Sequence, residues 1–495
     1  MSLLVLIVIY SVLFAIWWYW CRPRVRSPAP YPGALPIIGH IHVAFKYRND
    51  VWSFLERLFN CVTNECVVLK MGSHNMYVVS DPDEVGVIAN TSLKKSYHYS
   101  FLDNILENGL LLEDVPTWRI HRKLLNPAFN LHTLNTFQNI MNVEARSLVS
   151  QLKDKAGKGP FDVKELMVLY ILRSVCRTSL GLEAKDQDTI DKEYAQAIEE
   201  SMEIAVKRSF NVAVYPSFIF NRTAKGKREQ ELIARIKNIL NSAIQKRKSD
   251  FKNNDNKQNN KTDFSDDSAN SKFKPILDLM LHLSDEQEVF SDDDIRQHLN
   301  TFVFASYDTT SGVLQTVLAV LGSRPDVQER VYKEIVEVFG DNEELTKCDL
   351  PKLVYLEAVI KEVLRLYPIV PWVGRQIDTD VVFPKYTLRA GSTCILVIYN
   401  LHRHPSWGPD AKEFKPERWL NPATLPTHPN VYAPFSIGKR NCIGKQYSMM
   451  TLKLSLAHIV RKFKISSDNI NNMQWKYELA LKPATTALVD FKLRP

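Results

Sequence analysis

Cys442 lies in Phe435-Ser436-Ile437-Gly438-Lys439-Arg440-Asn441-Cys442-Ile443-Gly444, just ahead of an apolar-periodic helical stretch. A cysteine so placed can act as a thiolate, because a helix N-terminus carries partial positive charge that favours ionised sulfur. Gly438 and Gly444 let the backbone turn tightly around a bulky partner. Arg440, two residues upstream, can meet an anionic group on that partner. A loop of this kind can hold a haem iron through one sulfur. The competing reading is a buried structural cysteine, the usual fate of a free Cys.

Three further sets of residues have chemistry in their spacing. Ala305-Ser306-Tyr307-Asp308-Thr309-Thr310 places an acid and hydroxyls inside an apolar helical pattern, where polar groups are costly unless paired or used. The bland alternative is that Thr309 and Thr310 bond back to carbonyls one turn earlier. Glu362 and Arg365 stand three apart, and Trp118 and Arg122 four apart, so each pair shares a helical face. Read alone, the first is a solvated ion pair of little worth and the second a cation–π contact.

The elements that must position these groups are mostly helices. Ser291 followed by Asp292, Asp293 and Asp294 is an N-cap with acids in the first turn. Ile295, Leu299, Phe302, Val303, Val313, Leu314, Val317, Leu318 and Leu321 then recur with helical spacing, and Gly322 and Pro325 are expected to stop the run. About thirty residues at 1.5 Å each give roughly 45 Å, enough to cross a domain. Glu362 and Arg365 fall on a helix from about Pro351 to Leu366. Strand-like pieces near Cys66–Val79 and Thr393–Ile398 are too few for a large sheet. The fold class read from the residues is mainly α with a small β region.

The chain has 495 residues, 45% hydrophobic and 24% charged, with a net charge of +8. That is ample for a large core. The mild basic excess suits a membrane surface or an acidic partner, and no DNA or RNA recognition motif accompanies it, so nucleic acid is not an expected partner. Seven irregularly spaced cysteines without C-x-x-C read as a reducing compartment, and no Cys/His pairing has zinc spacing. Leu3 to Cys21 is uncharged, closes on Trp17-Trp18-Tyr19-Trp20, and is followed by Arg22, Arg24 and Arg26. The expectation is a retained membrane anchor (1–21) with the body in the cytosol, favoured over a cleaved signal peptide. A basic, Pro-rich hinge (22–40) follows. Lys246 to Lys274 reads as a disordered surface loop within one domain (41–495), because it is nearly free of large apolar residues.

The decapeptide around Cys442 matches F-x-x-G-x-R-x-C-x-G, and the chain resembles the cytochrome P-450 family of haem-thiolate monooxygenases. The resemblance runs from the hinge to the C-terminus. It implies a single large haem-thiolate monooxygenase domain behind an N-terminal transmembrane anchor, and haem b bound axially by Cys442 as metal ligand. Phe435, Gly438, Arg440 and Gly444 belong to the same haem-binding motif. Trp118, Arg122 and Arg440 are implied propionate partners, with Arg375 a further candidate. Asp308 and Thr309 match the family's acid–alcohol pair, which delivers protons for dioxygen cleavage. Ser306 stands where the family usually has Gly, putting the efficiency of oxygen activation in doubt. Glu362, Arg365 and Arg418, the last in Phe414-Lys415-Pro416-Glu417-Arg418-Trp419, match a buried network behind the cysteine loop that serves folding and haem retention.

Within the family the chain is most similar to family four, the fatty-acid ω-hydroxylase branch, and its arthropod relatives. Leu124-Leu125-Asn126-Pro127-Ala128-Phe129 and His402-Arg403-His404-Pro405 carry that likeness. Many members of that branch have a glutamate esterified to the haem where this chain has Ala305, so no covalent ester is expected. The implied activity is NADPH- and O2-dependent hydroxylation of an apolar substrate (a fatty acid, hormone or xenobiotic such as an insecticide) in a pocket including Phe304, Trp372 and Val373. With no dinucleotide or flavin motif in the chain, electrons come from a membrane-bound NADPH–haemoprotein reductase, with a small b-type cytochrome as a second donor. Lys439, Arg440 and Lys445 give the face near the sulfur a basic character for docking. The implied location is the endoplasmic reticulum membrane. A haem-thiolate isomerase or dehydratase, and a non-catalytic haem- or lipid-binding protein on the same fold, are the alternatives.

Overall fold

The computed structural model describes residues 3–21, 26–62, 65–182, 188–255, 274–287, 289–340, 342–468, 470–484 and 488–495. Helices dominate. The longest apolar one, Asp292–Ser323, runs 32 residues, or about 48 Å. Its start is the one the sequence signals: Ser291 and Asp294 cap each other reciprocally, Ser291 Oγ accepting from the Asp294 N–H at 3.1 Å and Asp294 accepting from the Ser291 N–H at 2.9 Å. Its end differs from expectation. Gly322 lies inside the helix, and Pro325 opens the next one, Pro325–Phe339. The glycine has another use: a Cβ there would meet the Ser467 N at 2.7 Å, so Gly322 lets the strand Phe463–Ser467 cross the helix closely.

Ile295, Leu299, Val303, Leu314, Val317 and Leu321 are at most 1% exposed, and they sit in one continuous core. The helices Lys164–Val175, Val354–Leu366 and Lys445–Lys462 pack around the long helix. The second of these begins at Val354, because Leu350–Lys352 forms a short 3-10 turn instead.

A five-stranded sheet flanks the helical body in the order Ala29–Pro30, Val67–Met71, His74–Val79, Thr393–Leu396, Val373–Gln376. The first pair and the His74–Val79/Thr393–Leu396 pair are parallel; the other two are antiparallel. Sequence periodicity missed Val373–Gln376 and the C-terminal strands Phe463–Ser467, Trp475–Glu478, Ala480–Pro483 and Leu488–Leu493, which are short and pair only through the fold.

Two segment boundaries change. Much of the Pro-rich hinge is docked on the body: Ala29–Pro30 pairs with Val67–Val68, and His40, 1% exposed, bonds the Tyr31 carbonyl and accepts from the Lys70 N–H. The loop expected from Lys246 starts later, because the helix Ala224–Asp255 continues through Lys246, Arg247 and Lys248. Those cations are good helix formers, and Arg247 forms a two-point ion pair with Asp278. The rest of that expected loop, 256–273, lies outside the described residues.

Leu3–Cys21 forms a 19-residue helix with Val5, Ile7, Val8, Tyr10, Val12 and Leu13 exposed. Several of its side chains lie outside the described set, and among the described residues no helix is long and apolar enough to cross a membrane.

Candidate functional site

A cavity separates the middle of the long helix from the cysteine loop. The loop is shaped by local constraints. The Cys442 N–H donates to the Phe435 carbonyl at 2.9 Å, closing the turn. Gly438 has φ +73°, and a Cβ there would sit 2.4 Å from the Ala89 carbonyl oxygen, so the loop presses against the helix Pro82–Thr91 as only glycine allows. Gly444 is the N-cap of Lys445–Lys462.

Cys442 has open surface, and that surface faces the cavity. Burial pushes its thiol above the ordinary value; the Gly444 N–H, Arg122 and Lys445 oppose this without reversing it. Coordination to a metal ion would remove the proton outright.

Ala305, Ser306, Asp308 and Thr309 of the long helix line the same cavity as the sulfur. Thr309 Oγ1 bonds back to the Ala305 carbonyl at 2.8 Å, while Thr310 pairs with Ser448 Oγ at 3.2 Å. Phe304, Trp372 and Val373 also line it.

The cavity wall carries cations with unused hydrogen-bonding capacity. Arg375 is 0% exposed; its Nη1 donates to the Gly374 carbonyl, and its Nε and Nη2 have no partner. Arg440 stacks 4.2 Å over the Trp118 ring and donates to the Glu113 carbonyl at 2.7 Å, leaving Nε unpaired. Burial, with Arg375 beside it, pulls Arg440 down to about 10. Lys95 is held well below its ordinary value by burial and by Arg375 and Arg440. Orphaned guanidinium groups cost free energy unless an anion reaches them. A cavity with one sulfur on one side and clustered cations at its edge fits a planar metal cofactor bearing carboxylates, which is what haem b is. Lys95 belongs to no motif and was missed by sequence reasoning.

Arg122, an expected propionate partner, also commits its guanidinium to the cysteine loop. It donates to the Asn441 carbonyl at 2.8 Å, to Asn441 Oδ1 at 3.0 Å and to Asn126 Oδ1 at 2.8 Å. It thus grips the cysteine loop while lining the cavity. Arg440 is also corrected in one role: it is 7% exposed and points inward, so of the three residues expected to make the surface basic, only Lys439 and Lys445 are exposed.

Behind the loop, the structure brings Glu362, Arg365 and Arg418 together with 0%, 0% and 3% exposure. Glu362 takes both Arg365 Nε and Nη2, at 2.8 and 2.9 Å, and Arg418 Nε at 2.9 Å. Arg365 also reaches the carbonyls of His402, Ala411 and Glu413, tying the helix to the segment ahead of the loop.

Sequence spacing also missed a buried cluster of Glu113, His121 and His298. Its donor types suit a metal, but the Leu110 N–H donates to His298 Nδ1 at 3.1 Å. That leaves the proton on Nε2, the atom facing His121 and Glu113. The cluster is a hydrogen-bonded network that fastens the Gly109–Glu113 turn to the long helix.

A mainly helical body enclosing a sulfur-lined cavity of this kind defines a haem-thiolate protein. The comparisons agree. The cytochrome P-450 family model matches residues 28–490. The chain is 33% identical to probable cytochrome P-450 4s3 of Drosophila melanogaster, covering 95% of each chain. It is 31% identical to human cytochrome P-450 4V2, covering 93% of this chain and 89% of that one. It is 30% identical to cytochrome P-450 4c21 of Blattella germanica, covering 90% and 89%. Among solved structures, the haem domain of a cytochrome P-450DA mutant superposes with a TM-score of 0.76 at 23% identity, covering 95% of this chain and 98% of that one, which shows the fold. The chain belongs to the cytochrome P-450 family, with family-four relatives, and is a haem-thiolate monooxygenase with cysteine-ligated haem b.

Proposed function

We propose that the chain is a membrane-anchored, NADPH-dependent monooxygenase that hydroxylates an apolar substrate, a fatty acid, hormone or xenobiotic, at an iron held by Cys442. The observation that carries this reading is one cavity lined together by Cys442, Asp308, Thr309, and the arginines Arg375 and Arg440 with their unpaired nitrogens. Haem bound there supplies the site of dioxygen activation, and a thiolate ligand favours O–O cleavage. Arg375, Arg440, Trp118 and Lys95 hold the propionate edge, with Arg122 bracing the loop through Asn441. Glu362, Arg365 and Arg418 keep the loop in place. Phe304, Trp372 and Val373 exclude water and hold apolar surface. Thr309 and Asp308 pass protons toward the reacting oxygen. The exposed Lys439 and Lys445 flank the sulfur and suit an acidic surface on a reductase or a b-type cytochrome.

Leu3–Cys21 serves as the anchor in the endoplasmic reticulum membrane, with the domain from residue 41 in the cytosol and 22–40 joining them. The uncharged helix and the arginines after it support this placement. The decisive test is the carbon-monoxide difference spectrum of the reduced protein. A red-shifted thiolate band is expected in the wild type and absent in Cys442→Ala; a wild type without it refutes the assignment. NADPH- and reductase-dependent product from an apolar panel separates monooxygenation from peroxide isomerisation and from haem binding without turnover.

A further inference from the structure

Asp308 is not free at the cavity wall. Lys482 Nζ lies 2.6 Å from Asp308 Oδ1, with side-chain exposures of 17% and 14%. Lys482 comes from Ala480–Pro483, the second strand of a C-terminal hairpin whose residues Leu479 and Ala480 also line the cavity. Glu199 of the helix Asp188–Ser209, which acts on Lys482 electrostatically, has 44% side-chain exposure and pairs with Lys164 near the surface. The groups facing Asp308 and Lys482 are therefore Glu199 from that helix, Glu478 from the paired strand and Tyr307 from the long helix itself.

Burial opposes the Lys482 charge, but Asp308, then Glu199 and Glu478, outweigh it and raise the ammonium above its ordinary value. A largely buried lysine ion-paired with a carboxylate at the cavity wall is more than a staple for the hairpin.

We infer that Lys482 is a positioning residue for proton delivery: it fixes the Asp308 carboxylate at the cavity wall. The inference rests on Asp308 being the proton-carrying acid of the proposed function. Asp308 takes one proton arriving from bulk water, releases it on the cavity side, and returns to the carboxylate paired with Lys482. Lys482 keeps its charge throughout, and the proton delivered to the cavity is matched by an electron from the NADPH–haemoprotein reductase.

The test uses the full chain with haem, a purified NADPH–haemoprotein reductase, and the saturated fatty acid that gives the wild type its highest product per NADPH. Haem content and the carbon-monoxide band check integrity. Lys482→Met is expected to lower product formation about ten- to a hundredfold, the range for a reacting group displaced by about 1 Å. It should raise peroxide released per NADPH and enlarge the solvent deuterium isotope effect, with haem intact. Lys482→Arg should restore coupling. If Lys482→Met fails to retain haem, Lys482→Gln carries the test: it should enlarge the isotope effect with haem intact, and no change there overturns the inference. Wild-type coupling and isotope effect in Lys482→Met, alongside altered values in Asp308→Asn, overturn the inference and leave the Asp308 assignment standing. If Asp308→Asn changes neither readout, the assignment itself falls.

Discussion

Replacing Glu362 by glutamine changes one atom and should release the cysteine loop. Five donors converge on the carboxylate: Arg365 Nε and Trp419 Nε1 on Oε2, and Arg365 Nη2, Arg418 Nε and the Lys415 N–H on Oε1, all at 2.8–2.9 Å. A glutamine keeps one oxygen. The less costly amide orientation puts its NH2 at the Oε2 position, against two donors. At about 1–3 kcal/mol for each orphaned buried donor, that costs about 2–6 kcal/mol. Removing the negative charge between two buried guanidinium groups belongs to the same range, about 3–5 kcal/mol for a broken buried pair. About 4 kcal/mol is the working figure. With a urea slope of about 3 kcal/mol per M, the midpoint falls by about 1.3 M. The assay is urea-induced haem release read by the Soret band, with tryptophan fluorescence in parallel. Glu65→Gln is the control: its pair with Lys385 is 71% exposed on both sides, and its loss should be worth at most about 1 kcal/mol. A Glu362→Gln midpoint within about 0.3 M of the wild type, under 1 kcal/mol on the same slope, would refute the buried-network reasoning.

Gly438→Ala puts a Cβ 2.4 Å from the Ala89 carbonyl oxygen at a residue with φ +73°, so the purified protein should carry little haem; normal incorporation would contradict this account of the loop. Arg375→Leu removes a fully buried cation with two unpaired nitrogens; loss of charge-assisted contacts worth about 1.5–3 kcal/mol should speed haem transfer to apomyoglobin about ten- to a hundredfold. His402 is held neutral, down to about 3, first by burial and then by Arg403. Its Nδ1–H donates to the Arg365 carbonyl and its Nε2 accepts from the Ala433 N–H. The unfolded chain binds the proton near pH 6.5 and the folded one does not, so stability falls as pH drops from 6.5 toward 3, by up to about 1.4 kcal/mol per pH unit. His402→Gln should flatten acid unfolding curves by that slope, and an unchanged slope would remove His402 from the account.

The sequence by itself determined the Cys442 loop and the long helix, because both are written locally: glycines at fixed offsets, a cap ahead of its helix, a 3.6-residue apolar period. The capping box at Ser291 and the helical character of 292–323 needed nothing from elsewhere in the chain. Only the tertiary structure decided which charged side chains face inward. Arg440 could have been a surface cation and turns to the cavity, because Trp118 and the Glu113 carbonyl are there to receive it. Lys95 and Lys482 carry no local signal at all; their roles come from neighbours 280 and 174 residues away in sequence, Arg375 and Asp308. The hinge and the end of the Lys246 helix moved for the same reason. Docking on a sheet strand and pairing with Asp278 are long-range contacts, and long-range contacts set the free energy of a buried charge or a docked strand where composition and period cannot.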